Sequence, residues 1–199
     1  MAIETEIKLA LPAGVQGAAR SASDAYAGAA GREIHLANVY YDTPDLALAR
    51  AKSAVRVRLA PQGWLQIFKT VGSSIEQGLH TRHELELPVA VDALEIDALL
   101  TACADVPALV ALFCTDFAHT LWRIVYDGST FKAGLDLGKI IAERDGETRR
   151  APIREIELEL IDGDETVLQT LANELKAALP GLAPDAKSKA QHGYRLRAA

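Results

Sequence analysis

The sequence predicts an α+β fold built on a mainly antiparallel sheet of eight strands, and three observations carry that expectation. Four segments alternate strictly between charged and apolar residues, the period-2 mark of strands whose two faces differ chemically. Pro and Gly recur at short intervals without a fixed repeat, so short elements follow one another through turns. Apolar residues make up 49% and charged ones 24% of 199 residues, with no Gly/Ser linker. That balance suits one folded unit over residues 1–199 and argues against disorder.

Taken in order, Glu4-Thr5-Glu6-Ile7-Lys8 is the first alternating segment and puts Glu4, Glu6 and Lys8 on one face. The Ala-rich stretch from Val15 to Ala30 reads as a helix, with limits blurred by its glycines. Asn38 to Tyr41 is a strand by its aromatic and branched residues. The second alternation, Val55 to Leu59, aligns Arg56 and Arg58, and Trp64 to Lys69 is the next strand. The third, Arg82 to Leu87, sets Arg82, Glu84 and Glu86 opposite Leu85 and Leu87. Asp92 to Cys103 has helical spacing through Leu94, Ile96, Leu99 and Leu100. Two more strands, Trp122 to Tyr126 and Phe131 to Leu137, precede the fourth alternation, Glu155 to Leu160, which aligns Glu155, Glu157 and Glu159. A helix from Asp164 to Leu179 follows, apolar at Val167, Leu168, Leu171 and Leu175. Eight antiparallel strands suffice to close a barrel.

The ordinary reading of one alternating strand is an apolar side on the core and a charged side in water. Here the polar faces hold ionisable groups of both signs almost throughout, from the first strand to the last, where a solvated face would be more mixed. With those faces turned inward and the helices packed outside, the charges converge on one lumen. Such a concentration is costly when empty, and it calls for a neutralising ligand. Clustered carboxylates bind hard divalent cations, and Arg and Lys bind phosphate oxygens, so the pair points to a metal-bound polyphosphate.

Other classes fare poorly. Lys plus Arg is 21 against 27 Asp plus Glu, a formal charge of -6, which disfavours a general nucleic-acid or anionic-membrane binder. No apolar run approaches the roughly 18 residues of a membrane span and no signal-peptide pattern opens the chain, so a cytoplasmic protein is expected. The cysteines, Cys103 and Cys114, lack the spacing of a disulfide or zinc framework. Phosphate-loop, dinucleotide and nucleophile-elbow motifs are absent. His80 and His83 read as surface or turn residues, and Trp64 and Trp122 as packing residues.

At this point the residues resemble the CYTH proteins, also called triphosphate tunnel metalloenzymes, whose ExExK signature matches Glu4 to Lys8. Further matching segments are Tyr40 to Asp45 ahead of the paired arginines, Trp64 to Lys69, Arg82 to Glu86, Phe113 to Trp122, Leu135 to Gly138, Glu155 to Leu160, and Ser188-Lys189 followed by Gly193-Tyr194. The chain looks most like the bacterial inorganic triphosphatases, without the helical companion domain often fused to them.

The resemblance implies an eight-stranded antiparallel tunnel and a magnesium or manganese ion (Mg2+ or Mn2+) held by Glu4, Glu6, Asp136, Glu157 and Glu159. It assigns the triphosphate to Lys8, Arg56, Arg58, Lys69, Arg82, His119 and Lys189, with Lys8, Lys69 and Glu84 serving the chemistry. Strict alternation from Trp64 puts Leu65 and Ile67 on the face of Lys69, a conflict that a bulge would reconcile. The chain departs from its relatives at His119, where they usually carry Arg, and at Lys132, where many carry Glu.

The implied activity is hydrolysis of inorganic triphosphate or an organic triphosphate, releasing phosphate. A class IV-type adenylyl cyclase is the alternative enzyme, and a non-catalytic polyphosphate or nucleotide binder is the alternative of another class. The expected partner is a small-molecule triphosphate, with no nucleic acid and no membrane, and a homodimer is compatible with this reading.

Overall fold

In the computed structural model, which describes residues 2–61, 63–70, 79–90 and 108–199, the alternating segments become strands of one sheet. β1 (Ala2–Ala10) leads into α1 (Gln16–Ala27), β2 (Arg32–Asp42), the single-turn α2 (Ala47–Arg50), β3 (Ala54–Ala60), β4 (Gly63–Lys69) and β5 (Leu79–Val89). β6 (Val110–Tyr126), β7 (Ser129–Arg144) and β8 (Glu147–Asp162) are followed by α3 (Glu165–Ala178), the two-residue β9 (Ala183–Pro184) and α4 (Lys189–Ala198). The helix expected over Asp92 to Cys103, and Cys103 with it, lies outside the described residues. Among the described residues, no helix is long and apolar enough to cross a membrane.

All eight expected strands are present, and β6, β7 and β8 run on to 17, 16 and 16 residues. Every pairing is antiparallel, in the order β5-β4-β3-β2-β6-β7-β8-β1-β9, with a further pairing of β1 to β5. That pairing brings the two ends of the order together, but only in part. β1 meets β5 through Ala2 to Ile7 and β8 through Glu6 to Ala10, so only Glu6 and Ile7 have both neighbours. From Leu9 onward β9 takes the place of β5. The expected eight-stranded barrel is therefore corrected to a nine-stranded sheet that is not closed into a barrel, with β1 touching both flanking strands only at Glu6 and Ile7. Nine residues of β1 are too few to span both offset neighbours, and offset is what tilted strands in a curved sheet impose.

The outward faces of β1, β7 and β8 are apolar and helix-covered. Ile7, Leu9, Phe131, Leu135, Ile156 and Leu158 pack with Leu168, Leu171 and Leu175 of α3, and Ala19 of α1 joins them. The stripe on α3 repeats at helical spacing, and the helix starts where Asp164 accepts a hydrogen bond from the Thr166 amide at 2.8 Å. α1 stops at Gly28, whose φ of 65° is the left-handed conformation glycine accepts without strain.

A second apolar cluster lies on the other side of the sheet. Leu36, Tyr40, Phe113, Phe117 and Ile140 pack there with Ala190 of α4. α4 begins with a capping box between Ser188 and Gln191, and its Gly193 allows the backbone against Phe113: a Cβ added there would sit 2.1 Å from the ring. The inward side of the sheet is thus charged for part of its length and apolar where α4 seats.

Candidate active site

The same alternation that buries Ile7 and Leu9 turns Glu4, Glu6 and Lys8 into a cavity of about 520 Å3. Arg56 and Arg58 reach it from β3, Lys69 from β4, Glu84 and Glu86 from β5, His119 from β6, Lys132 and Asp136 from β7, and Glu157 and Glu159 from β8. α4 adds Lys189. The ionic rows therefore converge. For Arg82 the structure gives the backbone position opposite Glu4, while its side chain, like those of His80 and His83, lies outside the described residues.

No bulge precedes Lys69. β3 and β4 stay in uninterrupted register, Ala54 opposite Lys69, Arg56 opposite Ile67 and Arg58 opposite Leu65. Lys69 keeps its inward direction because Leu65 and Ile67 also point inward, Leu65 onto the apolar cluster and Ile67 into the cavity wall. That face is mixed rather than wholly charged.

The lining is also less in need of a ligand than its composition suggests, since seven carboxylates and seven Lys or Arg side chains share it and most are paired. Lys189 bridges Asp136 at 2.5 Å, Glu157 at 2.9 Å and Glu155. Lys8 joins Glu157, and Glu155 at 3.4 Å. His119 binds Asp136 through Nδ1, and Lys132 binds Glu159. Lys69 lies 2.9 Å from Glu4 and 2.5 Å from Glu84. The two departures from the family pattern thus each meet a carboxylate.

These pairings split the carboxylates into two kinds. Burial, and then Glu84 beside it, pushes Glu4 up to about 7, while Lys69 pulls the other way. Burial alone would raise Glu84 as well, but its hydrogen bond with Glu4 and the charges of Lys69 and Arg56 hold it low. Deeper in, burial and Glu157 push Glu155 up to about 7, whereas Lys189 and Lys8 overcome burial at Glu157 and hold it well below the usual range. Burial would lower Lys8 and Lys189 too, and the surrounding carboxylates raise both.

Arg56 and Arg58 stand apart. Neither forms an ion pair with a carboxylate among the described residues. Arg56 donates to the Tyr40 hydroxyl at 3.1 Å, and its buried Nε has no partner. Arg58 donates to Asn38 Oδ1 at 2.9 Å, and burial together with the neighbouring Arg56 charge brings it down to about 10. Two like charges side by side with neutral supports form an anion site. Sequence reasoning missed Tyr40 and Asn38. They stand directly opposite the arginines, Tyr40↔Arg56 and Asn38↔Arg58, so a correct hairpin register between β2 and β3 would have found them.

A divalent cation also has donors. Asp136, Glu155 and Glu157 bring carboxylate oxygens within 4.8 Å of one another, but the Lys189 ammonium already bridges that trio. Glu155 was not among the expected ligands. Glu6, by contrast, has no hydrogen bond or ion pair among the described residues, faces Glu159 across the β1–β8 pairing, and shares the cavity wall with Glu4. An all-oxygen set of this kind fits Mg2+ or Mn2+ better than a softer metal.

Compared with known proteins, residues 2–194 match the family model of the CYTH domain. The chain belongs to the CYTH family. A curated relative, an inorganic triphosphatase from Haemophilus influenzae, is 35% identical over 170 residues, 83% of this chain and 47% of that protein. This CYTH chain therefore spans about half the length of that relative. Among solved structures, an adenylyl cyclase candidate from Hippeastrum, described as having a dominant triphosphatase activity, superposes with a TM-score of 0.66 at 20% identity over 96% of this chain and 95% of its own. A protein from Pyrococcus horikoshii superposes at 0.59 and 13% identity, over 96% and 98% of the two chains. At these identities the two structures establish a shared fold alone.

Proposed function

We propose that this chain is a metal-dependent triphosphatase that cleaves a terminal phosphoanhydride of inorganic triphosphate or an organic triphosphate and releases phosphate. The observation that carries the reading is the pair Arg56 and Arg58, without an ion-paired carboxylate among the described residues, lining the same cavity as Glu4, Glu6 and Glu159. We read the charged side of the sheet as the cradle for the anion, with β1 lying between β8 and β5. The name of the Haemophilus influenzae relative supports the substrate class.

In this proposal Glu4, Glu6, Asp136, Glu157 and Glu159 hold Mg2+ or Mn2+, which when bound supplies charge neutralisation and an activated water. Arg56 and Arg58 take phosphate oxygens and fix the anion along β3. Phosphoryl transfer asks mostly for positioning and charge stabilisation, and the lysines provide the latter. Lys69, held between Glu4 and Glu84, and Lys8 and Lys189, held by the Glu155 and Glu157 carboxylates, turn to phosphate oxygens as the anion enters. Glu84 orients the attacking water, His119 adds a donor beside Asp136, and Arg82 is retained from the resemblance. A small-molecule partner in a cytoplasmic setting belongs to the same reading, and the formal charge of -6 disfavours a polyanionic partner in its place.

The test is phosphate release from inorganic triphosphate, ATP and thiamine triphosphate, each with Mg2+, with Mn2+ and with chelator. Metal-dependent phosphate from triphosphate supports the reading. Cyclic AMP with pyrophosphate from ATP would replace it by the cyclase, and tight binding without turnover by the binding module.

A further inference from the structure

One basic side chain on the cavity wall was not among the expected site residues. Lys52 lies just past α2, where φ is 54°, a left-handed conformation that a residue with a Cβ adopts at a cost and glycine adopts freely. The position is enforced from both sides. The Lys52 amide bonds Ala49 O at 2.9 Å and the Ser53 amide bonds Leu48 O at 2.8 Å, the two bonds of a Schellman motif with Lys52 at its left-handed site. At the other end of α2, the Asp42 carboxylate accepts from the Leu48 and Ala49 amides at 2.8 and 2.9 Å. The chain thus keeps a lysine where its backbone favours glycine, and the side chain joins the cavity lining.

Lys52 has no carboxylate partner among the described residues, and it precedes Arg56 and Arg58 on the same wall. The aromatic rings near this end of the cavity are already engaged: Tyr40 stacks on Phe113 at 4.7 Å, Tyr194 meets Phe113 edge-on at 5.3 Å, and Phe117 lies under Lys189 at 5.1 Å. Each ring is thus already in contact with another ring or with a cation. The row of unpaired cations continues instead.

We propose that Lys52 is a specificity-determining residue that contacts the outer end of the bound anion and favours a free terminal phosphate there over an esterified one. This rests on the triphosphate reading of the same cavity. It makes inorganic triphosphate, and more so inorganic tetraphosphate, better ligands than a nucleoside triphosphate of equal phosphate number.

The experiment is calorimetric binding of inorganic triphosphate, inorganic tetraphosphate and ATP, without divalent metal, to the parent, Lys52→Gly and Lys52→Arg. Glycine suits the backbone, so Lys52→Gly is expected to fold with an equal or higher thermal midpoint. Its affinity for the inorganic anions should fall about threefold to tenfold, the scale of one exposed ion pair, with a smaller loss for ATP and restoration by Lys52→Arg. The difference should shrink as salt is raised. Equal losses for all three ligands, no loss, or no binding of any inorganic anion would each overturn the proposal. Binding without turnover would remove the hydrolase reading while still testing Lys52.

Discussion

Tyr194 of α4 donates its phenol hydrogen to the buried Asp42 carboxylate at the end of β2, 2.8 Å away and 152 residues earlier in the chain. Burial and that acceptor raise the phenol well above its ordinary range, so it stays a donor. Asp42 also accepts from the amides of Thr43, Leu48 and Ala49 at 2.7, 2.8 and 2.9 Å. One carboxylate therefore ties α2 and α4 to the same point beside the cavity. Tyr194→Phe should lose about 1.5–3 kcal/mol of stability, the range for a hydrogen bond to a charged group, while Asp42→Ala strands several donors and should cost more. Urea unfolding of both variants checks the order, and a milder loss for Asp42→Ala would contradict it.

Gly193→Ala tests how closely α4 must seat. The added methyl would meet the Phe113 ring at 2.1 Å, and Phe113 is itself packed between Tyr40 and Tyr194. Overpacking of this kind costs about 1–3 kcal/mol. Because Lys189 begins the same helix, triphosphate affinity should fall along with the melting temperature. A variant as stable and as tight-binding as the parent would show that the helix has room to shift.

Removing the Arg56 guanidinium, which has no carboxylate partner among the described residues, should weaken triphosphate binding by about 1.5–3 kcal/mol, the worth of a hydrogen bond to a charged group. Arg56→Lys should recover only part of this, since a lysine lacks the forked donor geometry. Calorimetry with inorganic triphosphate reads both, and an unaltered affinity in Arg56→Ala would take Arg56 out of the site.

Replacing Glu4 and Glu6 together by Gln should abolish metal-dependent phosphate release and leave the circular dichroism spectrum unchanged, because both side chains face the cavity and the core contacts of β1 come from Ile7 and Leu9. Turnover at the parental rate would sink the metal assignment.

The paired carboxyls also predict a pH dependence of the metal-free chain. Glu4 is raised to about 7 in the folded chain against 4.5 for the free group, and Glu155 likewise to about 7. Between those values the folded state holds more protons than the unfolded one, so stability falls as pH rises from about 4.5 to 7. Glu84 and Glu157 are held low, and their stabilisation is complete above about 4.5 and constant across that window. Thermal midpoints in chelator should therefore decline from pH 5 to 7, and decline less in Glu4→Gln. Parallel profiles for parent and variant would exclude Glu4 as one source of the slope.

Much of this arrangement was legible in the chain. Strict alternation located the charged faces of β1, β3, β5 and β8, and the number of ionisable groups on them indicated that they turn inward. What alternation could not convey was who pairs with whom. Glu155 was visible on the inward face, but its place between Lys8 and Lys189 depends on α4 folding back onto β8, a contact across 34 residues. The inward Leu65 and Ile67 looked like a break in pattern because a cavity that is charged in one stretch and apolar in another has no single period-2 signature. α2 and α4 escaped notice for different reasons. Four residues are too few for a helical period, and the buried side of α4 includes a lysine, an alanine and a glycine in place of an apolar stripe.

The stagger at β1 bears on how the molecule is made. Synthesis delivers Lys8 long before its partner Glu157, 149 positions away, so β1 waits for β8. Until β8 arrives, β1 has only β5 as a strand partner, and that pairing ends at Ile7, so Leu9 and Ala10 stay without a sheet neighbour until the C-terminal half of the chain is made.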